Sequence, residues 1–417
     1  MKITTEKPVA IVLGGTNPHK ELVLLLQKRG FFVVLIDYLL SPPAASISDY
    51  HLRESTLDKD KVLEVARTLN AQLVVALCID QANVTACYVS EKLSLPCSYG
   101  YETALLISDK IEMKMKMAEV GIPTSNFISI QQDEPTEVER LKFPLVVKPS
   151  DSNGSKGVRV VDNKYELQEY LKEALVISRN GKAIVEEFLF GDELGVDCFI
   201  ADGQAHIIST HKKRKPLLKN DTVIFSIGSI SPALVSNQAL ENISAIATKI
   251  AIGFGLNNVP LLLQVMVSES SVQVIEFAPR IGGGLNFRKI PKYTGFDILE
   301  ASLESWMGNV IIPVYSAPGN LYSENHLYTE SGIFGRIEGI KELVENGTIV
   351  EFYPNKKTGD KILPGNASKD RAGSFIVEGK NIDEVKEKIQ KSINSISVFD
   401  EQGQPLRFLQ NYESLLL

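Results

Sequence analysis

The residues with the clearest chemical meaning surround a loop rich in glycine and serine. Residues 151–157, Asp-Ser-Asn-Gly-Ser-Lys-Gly, follow Lys148 at the end of an apolar run. Glycine lets backbone N–H groups approach phosphate oxygens, which side chains would obstruct. In a Walker loop a lysine precedes Ser or Thr and opens a helix, whereas here residues 158–161 form a β-rich run. We predict a hairpin lid over phosphates, with Lys148 directed at their oxygens; an ordinary surface hairpin is the alternative.

A second group of residues combines carboxylates with an apolar run. Residues 184–189 read Ile-Val-Glu-Glu-Phe-Leu, and Gly-Asp-Glu follows at 191–193. This pattern predicts an adenine slot, in which backbone groups bind the base and a carboxylate binds the ribose hydroxyls. Solvated surface charge is the alternative.

A third group indicates a metal and oxyanion site. The strand-like run 261–267 contains Gln264, and the next run ends in Glu276, followed by Arg280 and the glycine run 282–284. A carboxylate supplies oxygen to a metal such as Mg²⁺, and a guanidinium binds an oxyanion. The alternative is a strand that leaves the core through a glycine-rich turn.

Composition limits the class of protein. The chain has 417 residues, 44% hydrophobic and 23% charged, which excludes disordered, collagen-like and disulfide-stapled proteins. The formal net charge is −7, so no general attraction to nucleic acid or anionic membranes is expected. The cysteines lack CxxC spacing and are predicted to be reduced thiols. The first apolar run, Val9–Leu13, is too short for a signal-peptide core or a membrane span, so we expect a cytoplasmic protein.

Three kinds of segment must position these residues. Residues 1–107 alternate strand and helix patterns, which predicts a Rossmann-like parallel sheet flanked by helices. Between residues 108 and 310 short β-rich runs are separated by hairpin-like turns, which predicts a largely antiparallel α+β region. Pro313, Pro318 and Gly319 predict a linker to a smaller α+β module at residues 311–417.

The order and spacing of the three groups resemble the ATP-grasp superfamily, specifically its carboxylate–amine ligase branch. This branch includes biotin carboxylase, carbamoyl-phosphate synthase, glycinamide ribonucleotide synthetase and L-amino-acid ligases. The resemblance covers nearly the whole chain. It implies a pre-ATP-grasp domain at 1–107, an ATP-grasp domain at 108–310 with a lid subdomain at about 120–187, and a C-terminal module at 311–417.

The resemblance also implies roles for single residues. Lys110 and Lys148 would contact phosphates, and Arg280 would face the transferred phosphoryl group or the substrate carboxylate. The other implied ATP contacts are the loop residues Ser152, Asn153, Gly154, Ser155, Lys156 and Gly157, the hinge residues Glu186, Glu187, Phe188 and Leu189, and the ribose acid Glu193. On the substrate side the candidates are His211, Lys213, Asn286 and Arg288. The basic run 211–215 follows the predicted strand 205–210 and is otherwise typical of a solvated face.

The metal site departs from the family pattern at two positions. Glu276 matches a glutamate that binds Mg²⁺ (or Mn²⁺), but Gln264 stands where the family usually has an acid, and Ala278 where it has asparagine. An amide oxygen binds Mg²⁺ without charge, and an alanine side chain has no oxygen. We therefore expect Glu276 to dominate the metal site.

The implied function is ATP-dependent ligation. A carboxylate, from an amino acid or another small acid, would form an acyl phosphate that an amine captures, giving ADP and phosphate; a homodimer is expected. A glycinamide-ribonucleotide-synthetase-like or carbamoyl-phosphate-synthase-like enzyme is one alternative. A non-catalytic ATP-binding protein is another, because of Gln264 and Ala278. A Rossmann oxidoreductase is disfavoured because residues 14–19, Gly-Gly-Thr-Asn-Pro-His, are not GxGxxG.

Overall fold

The N-terminal part of the chain folds around a parallel sheet in the order β3-β2-β1-β4. The computed structural model describes residues 5–131, 138–152, 156–215, 226–269, 271–363 and 370–409. The first elements are β1 (Val9–Leu13), α1 (Asn17–Lys28), β2 (Phe32–Ile36), β3 (Tyr50–Leu52), α2 (Lys59–Thr68), β4 (Leu73–Ala76), α3 (Asp80–Leu93) and α4 (Tyr101–Ser108). β1 is apolar and buried along its whole length, as expected for a parallel strand covered on both faces. The predicted parallel, helix-flanked sheet is confirmed.

The next segment forms an antiparallel sheet in the order β5-β8-β6-β7 with a hydrophobic cluster of its own. Its elements, with the helix that precedes them, are α5 (Lys110–Glu119), β5 (Phe127–Ile130), β6 (Leu145–Pro149), β7 (Arg159–Val161), α6 (Lys164–Ile177) and β8 (Ala183–Glu187). Helix α6 begins at the N-cap Asn163, whose side chain accepts hydrogen bonds from the N–H groups of Tyr165 and Glu166. This lid carries Lys148 at the end of β6 and the glycine-rich loop between β6 and β7.

A large antiparallel sheet forms the centre of the molecule. Its order is β13-β12-β9-β10-β11-β14-β18-β16. The central elements are β9 (Asp192–Ala201), β10 (Gln204–Arg214), β11 (Gly228–Ser231), α7 (Asn237–Gly253), β12 (Val259–Val267), β13 (Val272–Ala278), α8 (Asn286–Thr294) and α9 (Ile298–Trp306). The mixed, largely antiparallel character expected for this region is confirmed.

The basic run does not follow its strand, and that sequence expectation is wrong. Residues 211–214 form the end of β10 and pair with β9 and β11. Charged side chains are accommodated here because carboxylates on β9 lie opposite them: Lys212 pairs with Asp192 and Lys213 with Glu193. The strand therefore delivers these side chains to fixed positions.

The C-terminal segment continues the central sheet. Its elements are β14 (Leu321–Leu327), β15 (Gly332–Glu338), α10 (Ile340–Glu345), β16 (Glu351–Pro354), β17 (Lys361–Ile362), β18 (Gly373–Gly379), α11 (Ile382–Ser395) and β19 (Ser397–Asp400). β14 pairs with β11, so the predicted division near residue 311 separates strands that share one sheet. β15, β17 and β19 form a separate small sheet. In the described part of the chain, no helix combines the length and apolarity needed to cross a bilayer.

Candidate active site

A cleft between the lid and the central sheet collects most of the predicted nucleotide residues. Its described lining includes Lys110, Lys148, Ser152, Lys156, Glu186, Glu187, Phe188, Leu189, Glu193, Lys213, Lys215, Gln264 and Glu276. These residues come from α5, β6, β8, β9, β10, β12, β13 and the connecting segments. Charged side chains from distant parts of the sequence thus converge on one site.

Lys148 is held in this cleft by a buried carboxylate. Its Nζ lies 2.5 Å from Oε1 of Glu186, whose Oε2 lies 3.1 Å from Nζ of Lys114 and accepts a hydrogen bond of 2.8 Å from Ser125. Burial alone would raise the pKa of Glu186, but Lys114 and Lys148 outweigh it and lower this pKa to about 2. Burial lowers the pKa of Lys114 to about 8 in spite of Glu186. Glu186 therefore anchors two lysines, a function that sequence reasoning did not assign to it.

Lys114 itself was missed by sequence reasoning. It lies four residues after Lys110 on α5, and residues with this spacing share one face of a helix. That spacing is the signal that could have found it.

Glu193, the predicted ribose acid, is paired with two lysines at the end of β10. Nζ of Lys213 lies 2.5 Å from its Oε1, and Nζ of Lys215 lies 2.5 Å from its Oε2. Burial opposes ionisation, but the two ammonium groups outweigh it and lower the pKa of Glu193 to about 2. The carboxylate is ionised at neutral pH and fixes both ammonium groups in the cleft.

Gln264 links Lys213 to the predicted metal ligand Glu276. Lys213 donates to Oε1 of Gln264 over 2.9 Å, and Nε2 of Gln264 donates to Oε1 of Glu276 over 2.9 Å. No group of three or more His, Cys, Asp or Glu suited to a metal occurs in the described ranges. Mg²⁺ commonly uses one or two carboxylates together with substrate phosphates, so Glu276 fits one such ion, whereas the amide oxygen of Gln264 is engaged by Lys213 and its amide nitrogen faces Glu276.

Arg280 lies in an adjoining cleft and is fixed by the N-terminal module. Its Nε donates to Oδ1 of Asp80 over 2.7 Å, and its Nη2 donates to Oδ2 over 3.0 Å. Burial opposes ionisation of Asp80, but Arg280 outweighs it and lowers the pKa of Asp80. Lys110, Gln264 and Glu276 also line this cleft. Sequence reasoning missed Asp80, although an acid just past the carboxyl end of a parallel strand is a known signal.

Two predicted substrate-side residues, Arg288 and His211, are not among the lining residues of these two clefts. Arg288 pairs with Glu21 at 2.5 Å and with Glu351 at 3.4 Å, so it bridges the N-terminal and C-terminal segments. It does not line either cleft described above. Nδ1 of His211 lies 3.6 Å from Oδ2 of Asp197. The structure therefore does not bring Arg288 to the phosphate lysines, and it places His211 beside a carboxylate.

The glycine-rich loop is described at its two ends. Nζ of Lys110 donates to the carbonyl oxygen of Ser152, and Oγ of Ser152 donates to the carbonyl oxygen of Lys156 over 3.2 Å. Gly157 has a φ of +75°, and a Cβ there would lie 2.8 Å from Cδ1 of Ile177. Glycine is therefore required where the loop enters β7. Asn153, Gly154 and Ser155 lie outside the described residues.

The predicted hinge, residues 186–189, contributes mainly apolar side-chain surface to the cleft. Phe188 and Leu189 line the cleft, whereas the carboxylate of Glu187 accepts hydrogen bonds from Asn126 Nδ2 at 2.8 Å and the N–H of Lys142 at 2.9 Å. Apolar walls that sequence reasoning did not assign come from Val146, Val158, Met266 and Ile275. Val146 lies two positions before Lys148 on β6, and Met266 lies two positions after Gln264 on β12. This spacing puts side chains on one face of a sheet.

Comparison with protein families agrees with this geometry. Residues 141–288 match the ATP-grasp domain, and residues 325–399 match the L-amino acid ligase C-terminal domain 2. Residues 141–288 are therefore similar to an ATP-grasp domain. The resemblance to the ATP-grasp superfamily is thus confirmed.

Individual relatives extend this result. An L-arginine-specific L-amino acid ligase of Bacillus subtilis is 29% identical over 264 residues, which span 61% of this chain and 59% of that protein. The alignment therefore covers less than two thirds of that relative. Among solved structures, an L-amino acid ligase from Bacillus licheniformis matches with a TM-score of 0.77 and 18% identity, covering 95% of this chain and 100% of that one. A phosphoribosylglycinamide synthetase from Anaerococcus prevotii matches with a TM-score of 0.74 and 20% identity, covering 94% and 99%. This chain therefore shares the overall fold of these two structures.

Proposed function

We propose that this protein is an ATP-dependent ligase that joins a carboxylate to an amine, with an amino acid or small carboxylate as donor. The observation that carries the proposal is the convergence of Lys110, Lys148 and Lys156 with Glu276 in one cleft. The match to an L-amino acid ligase C-terminal domain supports amino-acid-type substrates over a ribonucleotide substrate.

The chemistry consists of two transfers. The donor carboxylate oxygen attacks the γ-phosphorus of ATP and ADP leaves; the amine nitrogen then attacks the acyl carbon, phosphate leaves, and the nitrogen gives up a proton. Phosphoryl transfer depends mainly on positioning and on neutralising charge. Lys148, fixed by Glu186, and Lys110 on α5 supply positive charge toward the phosphates. Arg280, which is fixed by Asp80 and lines the adjoining cleft, is the group that would pair with the donor carboxylate.

The proposal includes one divalent metal ion. Glu276 is the protein group that would hold Mg²⁺ (or Mn²⁺), and the amide oxygen of Gln264 would join it once Lys213 releases that oxygen. Such an ion supplies positive charge to the phosphate oxygens. The neutral amide of Gln264 supports a requirement for a single ion.

A non-catalytic ATP-binding protein is the second candidate. It is favoured by Lys213, whose Nζ bonds to Gln264 and Glu193, so that an ammonium group occupies the neighbourhood of the metal ligands. Turnover measurements separate the two candidates.

The test is a screen for ADP and phosphate release with the twenty L-amino acids in pairs. We expect release by the wild-type protein and a loss of about a hundredfold or more in Lys148→Ala, because one charge-assisted contact to the transferred group disappears. Lys164→Ala is the matched control, since Lys164 is an exposed lysine on the lid paired with Glu139. ATP binding without release for any pair would exclude the ligase, and AMP with pyrophosphate would indicate adenylation instead.

Two further properties belong to the proposal. We expect a homodimer in the cytoplasm, as the resemblance implies. Size-exclusion chromatography with light scattering measures the oligomeric state. A monomer at every protein concentration used in the activity assay would contradict the expected homodimer.

A further inference from the structure

The glycine run 282–284 lies where the three parts of the molecule meet. A Cβ on Gly282 would lie 3.7 Å from Oδ1 of Asp197 on β9, and one on Gly284 would lie 3.8 Å from Oε1 of Glu324 on β14. Between them, a Cβ on Gly283 would lie 3.9 Å from Cys78, which follows β4. A stretch of backbone without side chains therefore faces two carboxylate oxygens.

Asp197 is a buried carboxylate with an unused oxygen. The residue is 1% exposed. Its Oδ2 accepts a hydrogen bond of 2.7 Å from Nδ2 of Asn286, and Nδ1 of His211 lies 3.6 Å from the same oxygen. Its Oδ1 is buried and has no hydrogen-bond partner within the described ranges. A buried carboxylate is costly unless it is paired with a cation or fully hydrogen-bonded, so Oδ1 is a vacant acceptor.

Other buried carboxylates nearby have cationic partners. Lysine Nζ atoms lie 2.5 Å from Glu186, 2.5 Å from Glu193 and 2.6 Å from Glu324. The contact of 2.6 Å to Glu324 comes from Lys289 and leaves Oε1 on the side of the glycine run. Asp197 has no lysine or arginine partner of this kind among the described ion pairs. Among the described residues, Asp197 therefore lacks the compensating ammonium group that these neighbouring carboxylates have.

The register of the sheet puts Asp197 close to the transfer chemistry. Gly195 on β9 lies opposite Gln264 on β12, which lies opposite Glu276 on β13. Asp197 is two residues further along β9, so it shares the face of Gly195 at a spacing of about 6.6 Å along the strand. A group bound at Asp197 is adjacent to the metal-ligand candidates and stays on their side of the sheet.

We propose that Asp197, with Glu324 as the opposite wall, binds the ammonium group of the amine substrate. The acceptor is thus a compound with a primary ammonium group, namely the α-amino group of an amino acid, and its charge supplies the lysine-type or arginine-type partner that Asp197 lacks among the described residues. The bound ammonium gives one proton to solvent before its neutral nitrogen attacks the acyl carbon, and the nitrogen gives up a second proton as phosphate leaves. This inference rests on the proposed ligase function, because it names the second substrate of the same site.

Hydroxylamine provides the test, because it is neutral near pH 8 and captures an acyl phosphate as a hydroxamate without an ammonium group. Wild-type protein and Asp197→Asn are each assayed with ATP and donor amino acid, with hydroxylamine in one series and the twenty L-amino acids as acceptors in another. We expect hydroxamate formation by the variant to stay within about twofold of wild type, while KM for the acceptor amino acid rises roughly tenfold or more, the scale of a lost hydrogen bond to a charged group.

Asp192→Asn is the matched control. Asp192 lies on the same strand, is half-exposed and pairs with Lys212 at 2.8 Å, so both activities should remain unchanged. Hydroxamate formation by Asp197→Asn shows that the variant is folded. As a second measurement on the wild-type protein, replacing the acceptor by its 2-hydroxy analogue should abolish the rise in melting temperature that the acceptor causes in the presence of ATP.

The outcomes separate this inference from the proposed function. An unchanged acceptor KM in Asp197→Asn, equal stabilisation by the hydroxy analogue, or hydroxamate formation without any amide product in the wild type would each overturn the ammonium site while leaving acyl-phosphate formation intact. Absence of both hydroxamate and ADP would overturn the ligase, and the ammonium site with it.

Discussion

At the scale of single residues, ion pairs hold several of the candidate functional charges in place. Lys148 is fixed by Glu186, Lys213 by Glu193, and Arg280 by a carboxylate from another module. A charged side chain that is already held loses little conformational freedom when a ligand arrives. The residue that breaks this pattern is Gln264, a neutral side chain between a lysine and a glutamate.

Replacing this amide by a carboxylate should strengthen metal binding. Gln264→Glu adds a negative charge next to Glu276, and the affinity of oxygen sites for divalent cations increases with the number of charged ligands. We expect the Mg²⁺ concentration for half-maximal phosphate release to fall by roughly tenfold, as measured by metal titration at saturating ATP. Gln273→Glu on β13, whose side chain contacts the backbone of Thr124, is the control. An unchanged titration midpoint would mean that Gln264 is not a metal ligand.

At the scale of elements, strand ends and helix starts deliver the functional groups. Lys110 is the first residue of α5, directly after the N-cap Asp109, whose side chain accepts hydrogen bonds from the N–H groups of Ile111 and Glu112. Asp109 also accepts a hydrogen bond of 3.1 Å from Asn180 on the lid side. The start of this helix therefore fixes Lys110, the proposed phosphate contact, and also contacts the lid.

The N-cap of α5 should affect both the stability of the protein and the position of Lys110. Asp109→Ala should cost about 1 kcal/mol of stability, the usual effect of a lost N-cap, and should raise KM for ATP severalfold because Lys110 is less well placed. Asn163→Ala removes the N-cap of α6, so it should cost a similar amount of stability without changing this KM. Thermal unfolding and initial rates measure both effects. Equal KM changes in the two variants would indicate a general loss of stability instead of a positioning effect.

At the scale of the whole molecule, the parts are joined by sheet pairing and by charges. β14 extends the central sheet from β11, and Arg288 pairs with Glu21 and Glu351 across the segments. Glu324 on β14 is buried and pairs with Lys289; burial opposes its ionisation, but Lys289 and His326 outweigh it and lower its pKa to about 2. Ionised, paired carboxylates therefore occur in the lid, the central sheet and its C-terminal extension.

The buried, paired carboxylates predict that the folded protein loses stability in acid. The pKa values of Glu186, Glu193 and Glu324 fall from 4.5 to about 2 on folding. A depressed carboxylate pKa contributes stability that is fully present above the unfolded value of 4.5 and is lost as pH falls toward 2. The loss is on the order of 3 kcal/mol for each group. We expect the unfolding temperature to be steady from pH 7 to 6 and to drop steeply below pH 5. Glu193→Gln should show a shallower drop, and a flat profile to pH 3 would contradict the prediction.

Part of the fold and site could be predicted from local pattern. The apolar run of β1 and the loop before β7 have local signatures, because burial on two faces and close backbone approach restrict residue type at fixed spacing. The bounds of β10 were not predictable in this way, since its basic end is stabilised by Asp192 and Glu193 on the neighbouring strand. The roles of Lys114 and Asp80 depend on partners far away in the sequence.

The sequence by itself determined which candidate groups the protein carries: lysines proposed to contact phosphates, a glycine-rich loop, and the metal candidate Glu276, in an order resembling the ATP-grasp superfamily. Only the tertiary structure decided which charges meet. Arg280 pairs with Asp80, two hundred positions away, and Asp197, beside the glycine run, has no lysine or arginine partner among the described residues. The physical reason is that the pairing of charges depends on strand register and on how the modules pack, and neither is encoded in the spacing of residues along a single segment.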